Sequence, residues 1–162
     1  MNKFKLSGEF KLRHFRGCKL LKEHVFKNGI TTVGLNKILG VMFNAQTQIT
    51  PWYFGLIDNA SFSALAAADT MASHAGWIEN QDYDEAARPT WVEDTPASGI
   101  ITNTATVDFT MNATKTIKGI FINSVNTKGG TLGTLWSTAS LPATVSVVDD
   151  DVLKFIYTLT AS

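Results

Sequence analysis

The sequence predicts a mainly β protein: an antiparallel β-sandwich of jelly-roll or Ig-like order, with one short amphipathic helix and an N-terminal β-hairpin. Three observations predict it. Apolar and polar residues alternate near both ends of the chain, in Phe10-Lys11-Leu12-Arg13 and through Leu153, Phe155, Tyr157 and Leu159, as strands with one buried face do. Turn residues punctuate the chain between such runs, at Arg16-Gly17, Asn28-Gly29, Asp58-Asn59, Lys128-Gly129-Gly130 and Asp149-Asp150. Only one well-marked stretch has helical spacing. Short strands divided in this way favour an antiparallel sandwich over a parallel α/β sheet. The 162 residues fit a domain large enough to bury its own core without disulfides or a metal. The lone Cys18 has no internal partner and is read as a small, semi-buried apolar residue. Residues 1–28 read as a basic hairpin or arm, and 29–162 as a single sandwich domain.

In chain order, the hairpin comes first. Its period-2 pattern puts Phe4 and Phe10 in the core and the cations outside. Arg16-Gly17 turns the chain, and Cys18 to Phe26 returns as the second strand, although Leu20-Leu21 breaks the alternation. The helix follows, with Thr31 or Thr32 as its cap. Leu35, Ile38, Leu39 and Met42 fall at i, i+3, i+4 and i+7, a stripe expected to face the core. Gly34 and Gly40 each weaken the helix by roughly 1 kcal/mol, so packing must hold it, and Asn44 ends it. Pro51 then opens the aromatic strand Trp52–Ile57. The Ala-rich stretch from Phe62 to Gly76 reads as a short helix or an ordered loop. Trp77 to Trp91 reads as an acidic surface excursion pinned by tryptophan at each end. Beyond Gly99 the chain turns to Thr, Val, Ile and Gly. Strands are expected through Val107–Met111, Ile117–Ile122, Leu132–Trp136, Thr144–Val148 and Leu153–Leu159.

Charge is distributed unevenly behind a formal net charge of zero. Residues 1–28 hold eight cations and two acids, whereas residues 58–94 hold eight acids and only Arg88 as a cation. A basic head and an acidic middle can complement another copy or another acidic surface. The candidate protein-contact residues are therefore Lys3, Lys5, Lys11, Arg13, Arg16 and Lys19 on the head, and Glu79, Asp82, Asp84 and Glu85 on the excursion. Phenylalanines among the cations would suit single-stranded nucleic acid, but inward-facing rings leave only cations outside, so a protein partner is preferred.

No motif for catalysis or a cofactor competes with that reading. His14, His24 and His74 lie in no H-x-x-x-H or H-E-x-x-H pattern. The first two are expected to pair across the surface of the hairpin. Asp82, Asp84 and Glu85, like Asp149-Asp150-Asp151, lack the calcium-loop register of alternating acids, a central glycine and a distal glutamate, and read as solvated loops or a subunit contact. A glycan hydrolase would need two carboxyl groups about 5–9.5 Å apart across a cleft, which one short polar loop does not provide. No catalytic, cofactor-binding or metal-ligating residue is assigned, and no apolar run reaches the ~18–20 residues of a membrane span.

A resemblance adds to this reading. Phe26–Leu39, Trp52–Asp58, Asp69–Trp77, Arg88-Pro89-Thr90-Trp91, Ile117–Phe121, Gly130-Thr131-Leu132 and the last strand from Val152 resemble small virion structural proteins of tailed bacteriophages and prophages. The resemblance spans roughly Val25 to Ser162. It implies a non-enzymatic capsid decoration (cement) protein, seated as a homotrimer on the major capsid protein, made in the host cytoplasm and found in the virion. A neck, tail or fibre component is the alternative. The family often has Asn or Gly before the Asp that precedes the last strand, where this chain has Asp149-Asp150-Asp151.

Overall fold

The computed structural model describes residues 4–162. It is an antiparallel β-sandwich built from β1 (Leu6–Arg16), β2 (Lys19–Lys27), β3 (Gly29–Ile30), β4 (Trp52–Asp58), β5 (Glu79–Asn80), β6 (Thr90–Trp91), β7 (Ile100–Ile101), β8 (Val107–Thr110), β9 (Lys115–Asn123), β10 (Leu135–Val147) and β11 (Asp151–Ala161), with one helix, α1 (Thr32–Phe43). The first sheet runs β2-β1-β11, with β7 and β8 both pairing β11. The second runs β3-β10-β9-β4, with β5 and β6 both pairing β4. A tight turn with Asp150 at φ 64° carries the chain from β10 in one sheet to β11 in the other.

The alternation in β1 and β11 has the expected consequence. Phe10 and Leu12 meet Leu153, Phe155 and Tyr157 inside the sandwich, against Phe54, Leu56, Ile120 and Ile122 of the second sheet. Each such buried side chain contributes about 1.5–3 kcal/mol, so this layer dominates the stability of the fold. Gly8 shares the inward face of β1. A Cβ there would lie 2.4 Å from the Tyr157 hydroxyl and 2.5 Å from Asn28 Oδ1, so only glycine lets the strands close. Phe4 does not reach the core. It precedes the strand and is exposed, because the inward register begins at Gly8 and Phe10.

The hairpin is part of the sandwich and not a separate arm. β1 lies between β2 and β11 and pairs with β11 from Leu6↔Ala161 to Arg16↔Asp151. Only β2 stands at the edge, and of its nine residues Phe26 alone is buried. Cys18, at the hairpin turn, is exposed rather than semi-buried. The runs Leu132–Trp136 and Thr144–Val148 belong to a single strand, β10, whose register shifts between Ser140 and Val145. Pro142 sits in that irregularity, where a residue without an N–H is tolerated.

The Ala-rich segment is an ordered loop. Asp69 Oδ2 accepts from Ala66 N and from Trp77 Nε1, and Met71 and Trp77 pack on Ile57, Phe121 and Leu135 as a second core cluster.

Helix α1 begins and ends as its sequence requires: Thr31 Oγ1 accepts from Gly34 N at 3.0 Å, and Asn44 caps the other end. Its orientation corrects the expectation. The buried positions are Gly34 and Gly40, with Ile38 packed partly against the core. A Cβ on Gly34 would lie 2.5 Å from the Trp136 carbonyl oxygen, so the glycine lets the helix backbone sit directly on β10. Close approach through the glycine side turns the Leu35/Leu39/Met42 stripe outward: Leu39 is 56% exposed, Met42 67% and Phe43 82%.

Candidate functional site

The charged residues singled out in the sequence do not converge on one site. Lys3 lies outside the described residues. Lys5 is fixed by its backbone, which exchanges hydrogen bonds with Ser162, and its side chain is free of ion pairs among the described residues. Lys11 and Arg13 both reach across the hairpin to Glu23, at 3.1 and 3.0 Å, and hold its carboxyl below the usual range. Lys19, exposed at the turn, has no ion pair among the described residues. The basic head is thus partly neutralised within itself.

Arg16 belongs to a buried cluster that the sequence reading did not find. Asp151, at the start of β11, is fully buried. Its carboxylate accepts from Arg16 Nε at 2.7 Å, Arg16 Nη2 at 2.8 Å, His14 Nε2 at 2.8 Å and Val148 N at 2.9 Å. These donors, Arg16 foremost, hold the Asp151 carboxyl well below the ordinary carboxylate range against the opposing effect of burial. Neither His14 nor Asp151 is the surface residue expected. His14 faces Lys22 in the strand register, not His24, and its ring points inward. The signal was available: period 2 from Gly8, Phe10 and Leu12 places residue 14 on the inward face. A polar ring buried there requires a hydrogen-bond partner, which Asp151 supplies.

The acidic segment is likewise a structural device. Glu79 and Arg88 form a bidentate pair with bonds of 2.8 and 2.7 Å, both side chains buried. Arg88 also donates to the carbonyls of Val125 and Gly130, and Glu79 accepts from Gly129 N. Asp82 pairs with Lys115 at 2.9 Å. Glu85 accepts from Thr110 N, while Lys128 Nζ donates to the carbonyls of Tyr83 and Glu85. Of the four acids singled out, Asp84 alone is exposed. The segment laces the β9–β10 loop and β8 together; it is not a free excursion. Among the described residues, no group of three or more His, Cys, Asp or Glu is placed to hold a metal ion.

The unpartnered surface lies elsewhere, at the end of the sandwich roofed by α1. Beneath the helix is a cavity of about 230 Å³ whose walls include Trp52, Trp91 and Trp136, together with Ile122, Leu159 and Lys37. Two of the indoles are locked by their own N–H groups: Trp91 Nε1 donates to Asn103 Oδ1 at 2.7 Å and Trp136 Nε1 to the Tyr157 hydroxyl at 3.0 Å. That hydroxyl also accepts from Asn28 Nδ2, and burial pushes its pKa up to about 12, so it remains a neutral post between the sheets. Leu39, Met42 and Phe43 continue the apolar surface outside. No protein-family model matches the chain, and no curated protein matches it either.

Proposed function

We propose that this chain is a non-enzymatic structural protein of a bacteriophage virion, a decoration (cement) protein that binds the outer face of the capsid shell as a homotrimer and reinforces it. The observation that carries the reading is the outward apolar face of α1. A short helix held on the sandwich through Gly34, Val33 and Ile38, with Leu, Met and Phe turned to solvent, is a surface made for contact, since contiguous apolar patches of this kind mark interaction sites. The resemblance to phage virion proteins, in Phe26–Leu39, takes in the first turns of this helix and supports the choice of partner. The sandwich core supplies a rigid body. Apolar burial and multivalency supply the affinity, and exposed cations such as Lys19 and Lys22 orient the encounter, each pair adding only about 0–1 kcal/mol.

Electron microscopy of purified virions tests this. The protein is expected in icosahedrally ordered copies over the whole shell. Its confinement to one vertex would reassign it to the neck or tail, and its absence from virions would end the proposal.

A further inference from the structure

We infer that the tryptophan-walled cavity under α1 is an anchor pocket for one aromatic side chain carried on an acidic segment of a partner protein. The inference deepens the assembly reading, and rests on it for the partner being a macromolecule. Four observations carry it.

The first is preorganisation. The Trp91 and Trp136 N–H groups are already satisfied inside the fold, so these walls offer a partner hydrocarbon, not free donors, and are held in place. Trp52 stands 6.0 Å from Trp136, tilted by 52°, which leaves edges and faces for a further ring. Offset and edge-on aromatic pairs gain more than the burial of their area alone supplies.

The second is size. The cavity, about 230 Å³, falls below the ~300–1,000 Å³ of small-molecule sites but exceeds the roughly 150 Å³ that accepts a benzene ring. One aromatic side chain fits that interval. The third is the rim. Met42 lines the cavity, and Leu39 and Phe43 extend it as exposed apolar surface. A small ligand inside would leave that rim in water, whereas a protein segment covers both, as an anchor ringed by water-excluding contacts does.

The fourth is charge. Among the described residues, Lys37 is the only ionisable one in the lining, and its Nζ has only Gln46 Oε1, at 3.3 Å, as a partner. Glu93 and Asp94 follow Trp91 in sequence but do not line the cavity. An anchor flanked by carboxylates therefore complements the rim. A second copy of this chain does not. Its exposed aromatics are Phe4 and Phe43. The first is flanked by Lys3 and Lys5, and the second has no acid beside it.

The test uses the intact protein and its own tryptophan fluorescence, since three of its four tryptophans wall the cavity. Synthetic peptides carrying Phe between Asp and Glu, Phe between two Lys, or Ala between Asp and Glu are titrated. The acidic Phe peptide is expected to bind saturably, about two- to tenfold tighter than the Lys-flanked one, and the Ala peptide not at all. Lys37→Glu, a rim substitution that leaves thermal unfolding unchanged, should invert the order of the two Phe peptides. Equal binding of those peptides, or no binding, overturns the inference. So does hydrocinnamate binding as tightly as the acidic peptide, which makes the cavity a small-molecule site. Self-association that Lys37→Glu abolishes also overturns it, in favour of a second copy. Protein that coats shells while the peptide order fails overturns the anchor pocket alone. Peptide order that holds for a protein absent from virions supports the pocket and overturns the shell reading.

Discussion

Helix α1 and the segment from Trp77 to Trp91 use their side chains in opposite senses. In the acidic segment charge points inward. Glu79 and Arg88 are buried against each other, and Asp82, Glu85 and Lys128 are spent on neighbouring strands and loops. In α1 Leu39, Met42 and Phe43 point outward, and the helix holds the sandwich through Gly34, Val33 and Ile38. Buried charge and exposed hydrocarbon both carry a free-energy cost, and the two regions offset it differently. The ion pair is satisfied within the chain, by three additional bonds from its side chains to the backbone. Among the described residues the helix face has no such internal partner, and a contact outside the molecule is the compensation we propose for it. Charge settles shape in one region; in the other, contact is the proposed role.

The sharpest way to break this contrast is to unpair the buried arginine. Arg88→Met leaves the Glu79 carboxylate buried without its cation, and should cost about 3–5 kcal/mol, read as a lower urea midpoint. A loss below about 1 kcal/mol would mean that water already reaches the pair, and the acidic segment would return to being a solvated excursion.

A smaller effect is expected at the His14–Arg16–Asp151 cluster, where the Arg16 side chain is half exposed. The Asp151 carboxyl is depressed in the folded state, so its contribution is fully present above the unfolded value of about 3.9. That contribution is lost as pH falls from there toward the folded value. Asp151→Asn should therefore lower the unfolding temperature near neutral pH and flatten its decline below about pH 4. An unchanged acid decline would show that other carboxylates carry it.

Much of the fold was legible because it rests on local rules. Period-2 alternation located β1, β8 and β11, the aromatic run located β4, and Thr31 and Asn44 bracketed α1. Two kinds of information were not local. Turn-by-turn, the sequence divides β10 into runs ending at Trp136 and resuming at Thr144, since a bulge looks like a strand end when the pairing partner is unseen. The sign of burial was also hidden. A Leu/Met stripe states that a helix is amphipathic, not which side meets the core, and here Gly34 against the Trp136 carbonyl decides it. Likewise, acids on a short polar run read as solvated until Arg88 is seen to lie among the carbonyls of a loop some forty residues away. Of the candidate contact residues, Lys19 and Asp84 keep the free surface assigned to them, whereas Glu79 and Arg16 hold the fold.

The smallest expected change in stability is the most informative about function. Leu39 is more than half exposed, and α1 is held by its opposite side. Leu39→Gln removes hydrocarbon that water already wets and keeps good helix propensity. Its unfolding free energy should shift by no more than about 0.5 kcal/mol, well inside what Arg88→Met removes. Its binding to shells, measured by co-sedimentation with virions lacking the native protein, should fall severalfold, because the lost burial is realised only in the complex. A Leu39→Gln protein that is destabilised as much as a core variant would place the stripe against the sandwich after all. One that is stable and still coats shells normally would move the contact surface away from α1, with the exposed edge strand β2 as the next face to examine.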